Sequence, residues 1–494
     1  MTTSLRKREL PLAVLLVMAV VLLALRLAVG FLAEPMGDEA YYWVWGQHPG
    51  WSYYDHPPLQ AWVQGVTTAV LGPSLFALRL PSLLAFGGTL WVLALFMQRH
   101  SGPDWRAGVL VGPVVLLGSP LFMIYTTVVT PDYLLVMLSL SAVYLMARFL
   151  ETADGGSPRW RFYFGAAVVV GLACLTKYIG AVLLVGFGLV VLLTPRHRRL
   201  LHDWRSYVGV AFVVALQAPV LIWNLQTNFA SFRLHLVDRQ QLGFGLTWTH
   251  LLSFVLQLLV LVGPFLIWPI IGLLRSRPEG FAGRGAALGK ATFGASTVGF
   301  SLVALGNFVS GHWNIVGQLA LVPSLVRQIG RGWQLGAHWL YGAAMGTLLL
   351  VNYTSYPVLG VDTLETYRGF GWGEVAAAYR EEADRLLPGF EAASHYQLAS
   401  QLNFALRGTE VTALSQRLDQ YDCWFDDAAH VGQSALILDD IHAPLEEAVA
   451  ETFETVEEVR RVEILRQGVL INTYRIYLGT GYRGSGDVVQ RYQF

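Results

Sequence analysis

The chain has 494 residues, of which 54% are hydrophobic and only 14% charged, with a mean hydropathy of +0.47. Soluble proteins carry about 25% charged residues, so a water-clothed globule is excluded, and the apolar excess excludes intrinsic disorder. Two cysteines exclude a disulfide scaffold, and 34 basic against 34 acidic residues leave no net charge to hold nucleic acid; the class that remains is a polytopic membrane protein.

The zero balance conceals an asymmetry. Up to Arg331 there are 23 Lys/Arg and 12 Asp/Glu, a net of +11; from Gly332 onward there are 11 and 22, a net of −11. A membrane region with basic loops, residues 1–356, is therefore expected to precede an acidic, water-facing domain, residues 357–494.

A span needs about 20 mainly apolar residues. Eleven are read in chain order: Pro11–Ala33, Phe76–Met97, Trp105–Ile124, Tyr133–Phe149, Arg161–Thr176, Tyr178–Leu193, Tyr207–Trp223, Leu251–Leu274, Ala291–Asn307, Ile315–Leu325 with its flanks, and Leu335–Tyr356. The fifth, ninth and tenth are short or carry Gly and polar residues. The first follows Arg6-Lys7-Arg8, as a signal peptide would, but its apolar run exceeds the roughly 7–15 residues of a signal sequence. It is read as an uncleaved span.

With the N-terminus in the cytoplasm, the inner loops hold eighteen Lys/Arg, whereas the outer loops before Pro357 hold only Arg79, Lys177, Arg233 and Arg239. The positive-inside rule is satisfied. The orientation turns the loop helices at 34–75, those at 225–250 and the C-terminal domain outward. Nucleotide sugars are not available on that side, and no GxxxxGK[ST] run occurs.

The first outer loop reads Met36-Gly37-Asp38-Glu39-Ala40-Tyr41-Tyr42-Trp43, then Trp51-Ser52-Tyr53-Tyr54-Asp55-His56-Pro57-Pro58. Asp38, Glu39, Asp55 and His56 place four titratable groups within 19 positions, among Tyr41, Tyr42, Tyr53, Tyr54, Trp43, Trp45 and Trp51. One reading is an interfacial aromatic belt, with Asp38 capping a helix Glu39–Trp45 and the prolines opening a helix Leu59–Val70. The other is an active site at the membrane surface, in which a carboxylate acts as general base on an acceptor hydroxyl.

The acidic pair after the first span, followed by Tyr-Tyr-Asp-His-Pro-Pro, resembles the membrane glycosyltransferases of the C superfamily (GT-C). The nearest branch holds the protein O-mannosyltransferases, the lipid A aminoarabinose transferases and bacterial family-39-like enzymes. The resemblance implies a polytopic α-helical fold of about 11 spans with a small extracytoplasmic α/β domain, in a bacterial inner membrane. It implies a polyprenyl-phosphate sugar as donor and a lipid, glycan or protein as acceptor. Asp38 falls where the family has its acceptor-activating carboxylate, and Glu39 is the second acid of that pair. Aminoarabinose transferases have Arg-Tyr where this chain has Tyr41-Tyr42 and Lys where it has His56, which counts against that particular activity. Tyr41, Tyr42, Tyr54, Asp55 and His56 are expected at the donor phosphate and sugar.

Further candidates lie at the outer ends of other spans. Thr130-Pro131-Asp132 is either a helix cap or a site-facing group. Lys177 either snorkels to headgroups or pairs with the donor phosphate. Arg233 and Arg239, six apart and beside Asp238, either are solvated or clamp a phosphate. In Gly311-His312-Trp313-Asn314, His312 and Trp313 either are interfacial or shape the acceptor side. Asp38, Glu39, Asp55 and His56 also have donor types that suit a divalent metal, without HExxH or CxxC spacing to support one.

After Tyr356 the hydropathy falls. Helices are expected at Gly373–Leu387, His395–Leu406 and Leu445–Val459, a strand at Ala435–Leu438 before Asp439-Asp440, and paired strands across Val462–Leu478 around Arg466-Gln467-Gly468. The runs Tyr396-Gln397-Leu398-Ala399-Ser400 and Gln420-Tyr421-Asp422-Cys423-Trp424-Phe425 resemble the extracytoplasmic domain of the same enzymes, where the domain covers the site, helps choose the acceptor or serves structure alone.

The expected reaction is a single displacement with inversion: Asp38 orients or deprotonates a hydroxyl, which attacks the anomeric carbon opposite the phosphate. The alternative is a membrane transporter, for which mid-membrane charges and repeated broken helices are the signature. Arg26 is the one Lys or Arg within a span away from its ends.

Overall fold

The computed structural model describes residues 9–100, 104–237 and 248–484. Helix dominates up to Thr354, as expected of a polytopic membrane protein. Among the described residues three helices are long and apolar enough to cross a membrane: Leu12–Leu32, Leu75–His100 and Asp132–Asp154. The number rises to six if three bent pairs each count once: Tyr178–Leu193 with Pro195–His202, Trp204–Ala215 with Ala218–Gln226, and Trp248–Val262 with Pro264–Arg275, bent by 111°, 42° and 89°. Trp105–Leu117 and Trp160–Thr176 are shorter apolar helices.

Hydropathy runs straight through these breaks because it does not see backbone geometry. The eighth expected span is interrupted at Gly263, whose φ of +96° is open to glycine at little cost, followed by Pro264, which has no amide hydrogen to continue the ladder. The third breaks at Gly118-Ser119, and Pro120 opens the separate turn Pro120–Tyr125.

The chain separates into two compact units: Met1–Leu27 with Ser82–Ile222 and His235–Thr347, and Ala28–Pro81 with Trp223–Leu234 and Leu348–Phe494. The first unit is helical. Asp132–Asp154 packs on Trp160–Thr176, and Gly280–Ala304 packs on Ile315–Ile329. Arg26 is buried here; its Nη2 donates to the carbonyls of Ser82 and Thr126, and its guanidinium lies 4.4 Å over Phe86.

The second unit carries a five-stranded sheet in the order β2-β1-β3-β5-β4. The strands are β1 (Phe390–Ala393), β2 (Val411–Ala413), β3 (Ala435–Asp440), β4 (Thr455–Arg466) and β5 (Val469–Thr480). β1 runs parallel to β2 and β3, and β5 antiparallel to β3 and β4. Gln467 and Gly468 both take positive φ, 49° and 80°, the backbone that a tight hairpin between twisted strands requires. Phe390, Ile437, Phe453 and Tyr482 pack into one core. The helix expected over Leu445–Val459 is confined to Glu447–Ala450, and β4 begins at Thr455, opposite Thr480. The acidic run reads as a helix in isolation, but pairing along β5 decides its state.

The helices Gly37–Gln47 and Leu59–Leu71 belong to this same unit and pack together. They meet at Gly46 and Gly65, where a Cβ on Gly46 would stand 2.6 Å from the Gly65 nitrogen. Gly46→Ala is therefore expected to destabilise the protein by about 1–3 kcal/mol through overpacking, read as a lowered thermal unfolding midpoint in detergent. An unchanged midpoint would show that the two helices separate freely.

Candidate functional site

The helix that carries Asp38 is anchored by a buried ion pair. Glu39 is fully buried and Arg79 nearly so. Arg79 Nε and Nη2 donate to the two Glu39 oxygens at 3.1 and 2.7 Å. Arg79 Nη1 donates to the carbonyls of Gly30 and Ala33 at 2.6 and 2.8 Å, meeting acceptors left over where the first helix ends. Glu39 also accepts from the Met36 amide at 3.0 Å. The helix Gly37–Gln47 is thus held at its first turn. Its N-cap is Met36, so Asp38 is the second helical residue and not the cap the sequence suggested.

Holding the first turn aims one helical face. Asp38, Tyr41, Tyr42 and Trp45 recur at three- and four-residue spacing and lie together. Asp38 is half-buried. Its Oδ1 accepts from Gln397 Nε2 at 3.1 Å and from Tyr396 Oη at 3.3 Å. Burial raises the Asp38 carboxyl above the ordinary aspartate range, the Gln397 bond pulls it back and the Asp55 charge pushes it up. Gln397 comes this close because residue 37 is glycine; a Cβ there would stand 2.7 Å from the Gln397 side chain.

Gln397 Nε2 also reaches Glu365 at 3.2 Å, and its Oε1 accepts from Arg368 Nη1 at 2.5 Å. Arg368 is buried against Asp440 at 3.1 Å, which in turn accepts from Asn472 Nδ2 at 3.0 Å. His395 Nδ1 accepts from the Gln397 amide at 3.3 Å; burial and the charges of Arg368 and Arg417 push that imidazole down to about 3, so it stays a neutral acceptor.

Asp55 is buried, accepts from Tyr41 Oη at 3.0 Å and meets Arg417 Nη2 at 3.4 Å. Tyr41 Oη accepts from the Gln420 amide at 2.8 Å, and its ring centroid lies 4.6 Å from that of Tyr396. Burial raises both phenols well above their usual value, so they remain neutral. The Arg417 guanidinium lies 4.1 Å over Tyr396. Tyr42 and His56 have ring centroids 5.9 Å apart. The Tyr54 amide donates to Gln420 Oε1 at 2.7 Å, and the Tyr54 ring packs with Trp223, Ala230 and Leu234. Arg233 lies on the helix Ala230–Leu236 with its side chain exposed. Arg239, the other half of the expected clamp, lies outside the described residues.

In the first unit, Lys177 Nζ donates to both oxygens of Asp132, at 3.0 and 2.9 Å, with both side chains buried. Lys177 therefore does not snorkel, and Asp132, one residue inside a helix whose N-cap is Pro131, is an ion-pair partner. His312 stacks on Tyr125 at 4.5 Å and shares a 2.7 Å hydrogen bond with Ser310 Oγ. Trp313 packs against Phe254, Ala304 and Val309.

Among the described residues no three His, Cys, Asp or Glu side chains converge to hold a metal ion. The four groups that suit one by residue type are engaged separately, Glu39 by Arg79 and Asp55 by Tyr41 and Arg417. Sequence reasoning did not assign Arg79, Glu365, Arg368, Gln397 or Arg417 to the site. A signal for Arg79 was present: few basic residues fall on the side expected to face outward, and two of them, Arg79 and Lys177, turn out to be buried and paired with acids.

Residues 55–223 match the model of the dolichyl-phosphate-mannose-protein mannosyltransferase family. The lipid A galacturonosyltransferase RgtD of Rhizobium johnstonii is 31% identical over 256 residues, 49% of this chain and 50% of that protein. The chain thus spans about half the length of the curated relative it matches. Two crystal structures of ArnT from Cupriavidus metallidurans share the fold at 14% identity. The apo form superposes with a TM-score of 0.63 over 92% of this chain and 97% of that one. The form bound to undecaprenyl phosphate gives 0.65 over 94% and 98%.

Removing one partner of a buried ion pair strands the other charge, at a cost of about 3–5 kcal/mol. Glu39→Gln and Arg79→Gln are each expected to lower the unfolding midpoint sharply. In a double-mutant cycle the pair is expected to lose clearly less than the sum of the single losses. Additive losses would contradict the pairing.

Proposed function

We propose that this chain, a GT-C-type membrane protein of the ArnT and protein-mannosyltransferase kind, transfers a sugar from a polyprenyl-phosphate donor to a lipid acceptor of the lipid A class, with inversion. The reaction takes place at the outer face of the cytoplasmic membrane, in a chain of eleven spans with its N-terminus inside, an orientation supported by the bias of basic loops. The name of the galacturonosyltransferase relative supports the acceptor class, and undecaprenyl phosphate bound to the structural neighbour supports the donor class.

The observation that carries the catalytic assignment is the asymmetry of Asp38. Among the described residues, both of its side-chain hydrogen bonds fall on Oδ1, which leaves Oδ2 to meet an acceptor hydroxyl. In the reaction that hydroxyl gives its proton to Asp38 as its oxygen bonds to the anomeric carbon. The bond from that carbon to the phosphate oxygen breaks on the opposite face, and the electron pair leaves with the polyprenyl phosphate. A phosphate leaving group needs little protonation, so one carboxylate suffices where a glycosidase needs two. Glu39, whose carboxylate holds Arg79, acts by fixing the helix that carries Asp38. Asp55 positions Tyr41. His56 is assigned to the donor phosphate.

The test is transfer of radiolabelled sugar from a panel of polyprenyl-phosphate sugars to a total lipid extract in proteoliposomes. Asp38→Asn is expected to reduce transfer by about 10²–10⁴-fold. In the wild type the base must be ionised, so the rate is expected to fall as pH drops through a midpoint above the ordinary aspartate value of about 4. Full transfer by Asp38→Asn would remove Asp38 from the mechanism.

A further inference from the structure

Asp38 and the residues that hold its Oδ1 come from distant parts of the sequence. Gln397 lies in the first turn of the helix Tyr396–Leu406, more than 350 positions away. A carboxamide can present either its oxygen or its nitrogen, and the wrong end would turn an acceptor toward Asp38. Here the choice is imposed. The Arg368 guanidinium, a donor only, takes the Gln397 oxygen at 2.5 Å, and Asp440 holds Arg368 in turn. Nε2 must then face the carboxylates, and its two hydrogens serve Asp38 and Glu365. The same helix is tied to the Asp38 loop a second time, because Gln401 Nε2 donates to the Pro35 carbonyl at 2.9 Å and the Arg368 carbonyl at 3.1 Å.

We infer that Gln397, oriented by Arg368, is a positioning residue for the transfer reaction: it holds Asp38 Oδ1 so that Oδ2 is presented to the acceptor hydroxyl. The C-terminal region thereby takes part in catalysis. The inference rests on the transferase reading above. A positioning role, in which Gln397 and Arg368 act through Asp38, predicts a loss in turnover with little change in binding.

Gln397→Glu keeps the shape but replaces the donor with an acceptor and a like charge. Steady-state transfer by this variant is expected to show kcat reduced by roughly 10–100-fold, the equivalent of one hydrogen bond to a charged group, with donor and acceptor KM within about twofold of wild type. Gln397→Asn, one methylene too short to reach Asp38, is expected to fall similarly. Arg368→Lys, which can still take the Gln397 oxygen, is expected to retain more turnover than Arg368→Met at matched unfolding midpoints. Unchanged kcat in Gln397→Glu, or a fall that only tracks loss of folded protein, overturns the positioning role alone. A wild-type protein that transfers no sugar overturns the transferase reading and this role with it.

Discussion

The arrangement of the second unit depends on the pair between Arg79 and Glu39. Two fully desolvated charges are expensive to bury and stay buried only where their remaining hydrogen-bonding capacity is met. Arg79 meets it by closing on Glu39 and on carbonyls at the end of the first helix. That constraint sets where the helix Gly37–Gln47 starts and how it is rotated. The rotation decides where the face shared by Asp38, Tyr41 and Tyr42 points. A glutamate adjacent to a catalytic candidate is easily read as a second catalytic acid; here burial and pairing with Arg79 tie it to the first turn of the helix that carries Asp38.

A second layer of constraint comes from the C-terminal region. Glu34 accepts from the amides of Gly371 and Trp372 at 3.1 Å each, placing a carboxylate at the positive end of the helix Trp372–Leu386. Tyr41 lies between Asp55 and the Gln420 amide, and Tyr396 lies between Asp38 and the Arg417 guanidinium. The tyrosines remain neutral because burial opposes their ionisation, so each offers a hydrogen bond without adding charge to a region already holding Asp38, Asp55 and Glu365. Gly37 allows this closeness; any side chain there would displace Gln397.

The sequence-based picture held where it rested on periodic or compositional signals. The helix after the paired prolines, the helices at Trp372–Leu386 and Tyr396–Leu406 and the Gln467-Gly468 hairpin are local features with local causes. The helix expected over Leu445–Val459 failed where a long-range strand partner outweighed local preference. Spans read as continuous were broken at Gly263-Pro264 and Gly118-Ser119-Pro120, because hydropathy counts transfer energies and not backbone dihedrals.

By itself the sequence determined the class of molecule, since too few charges for a wet surface and an asymmetric placement of arginines follow from composition alone. It also determined where the polar chemistry concentrates, because an apolar chain can tolerate Asp38, Glu39, Asp55 and His56 only where water or partners receive them. What only the tertiary structure decided was which partner each acid meets. Glu39 and Asp38 are neighbours with similar chemistry, and they differ because one points at Arg79, forty positions on, and the other at Gln397, over three hundred and fifty positions on. Hydrogen bonds and ion pairs of that sequence separation leave no periodic trace; they exist only once folding has brought the groups within about 3 Å of each other.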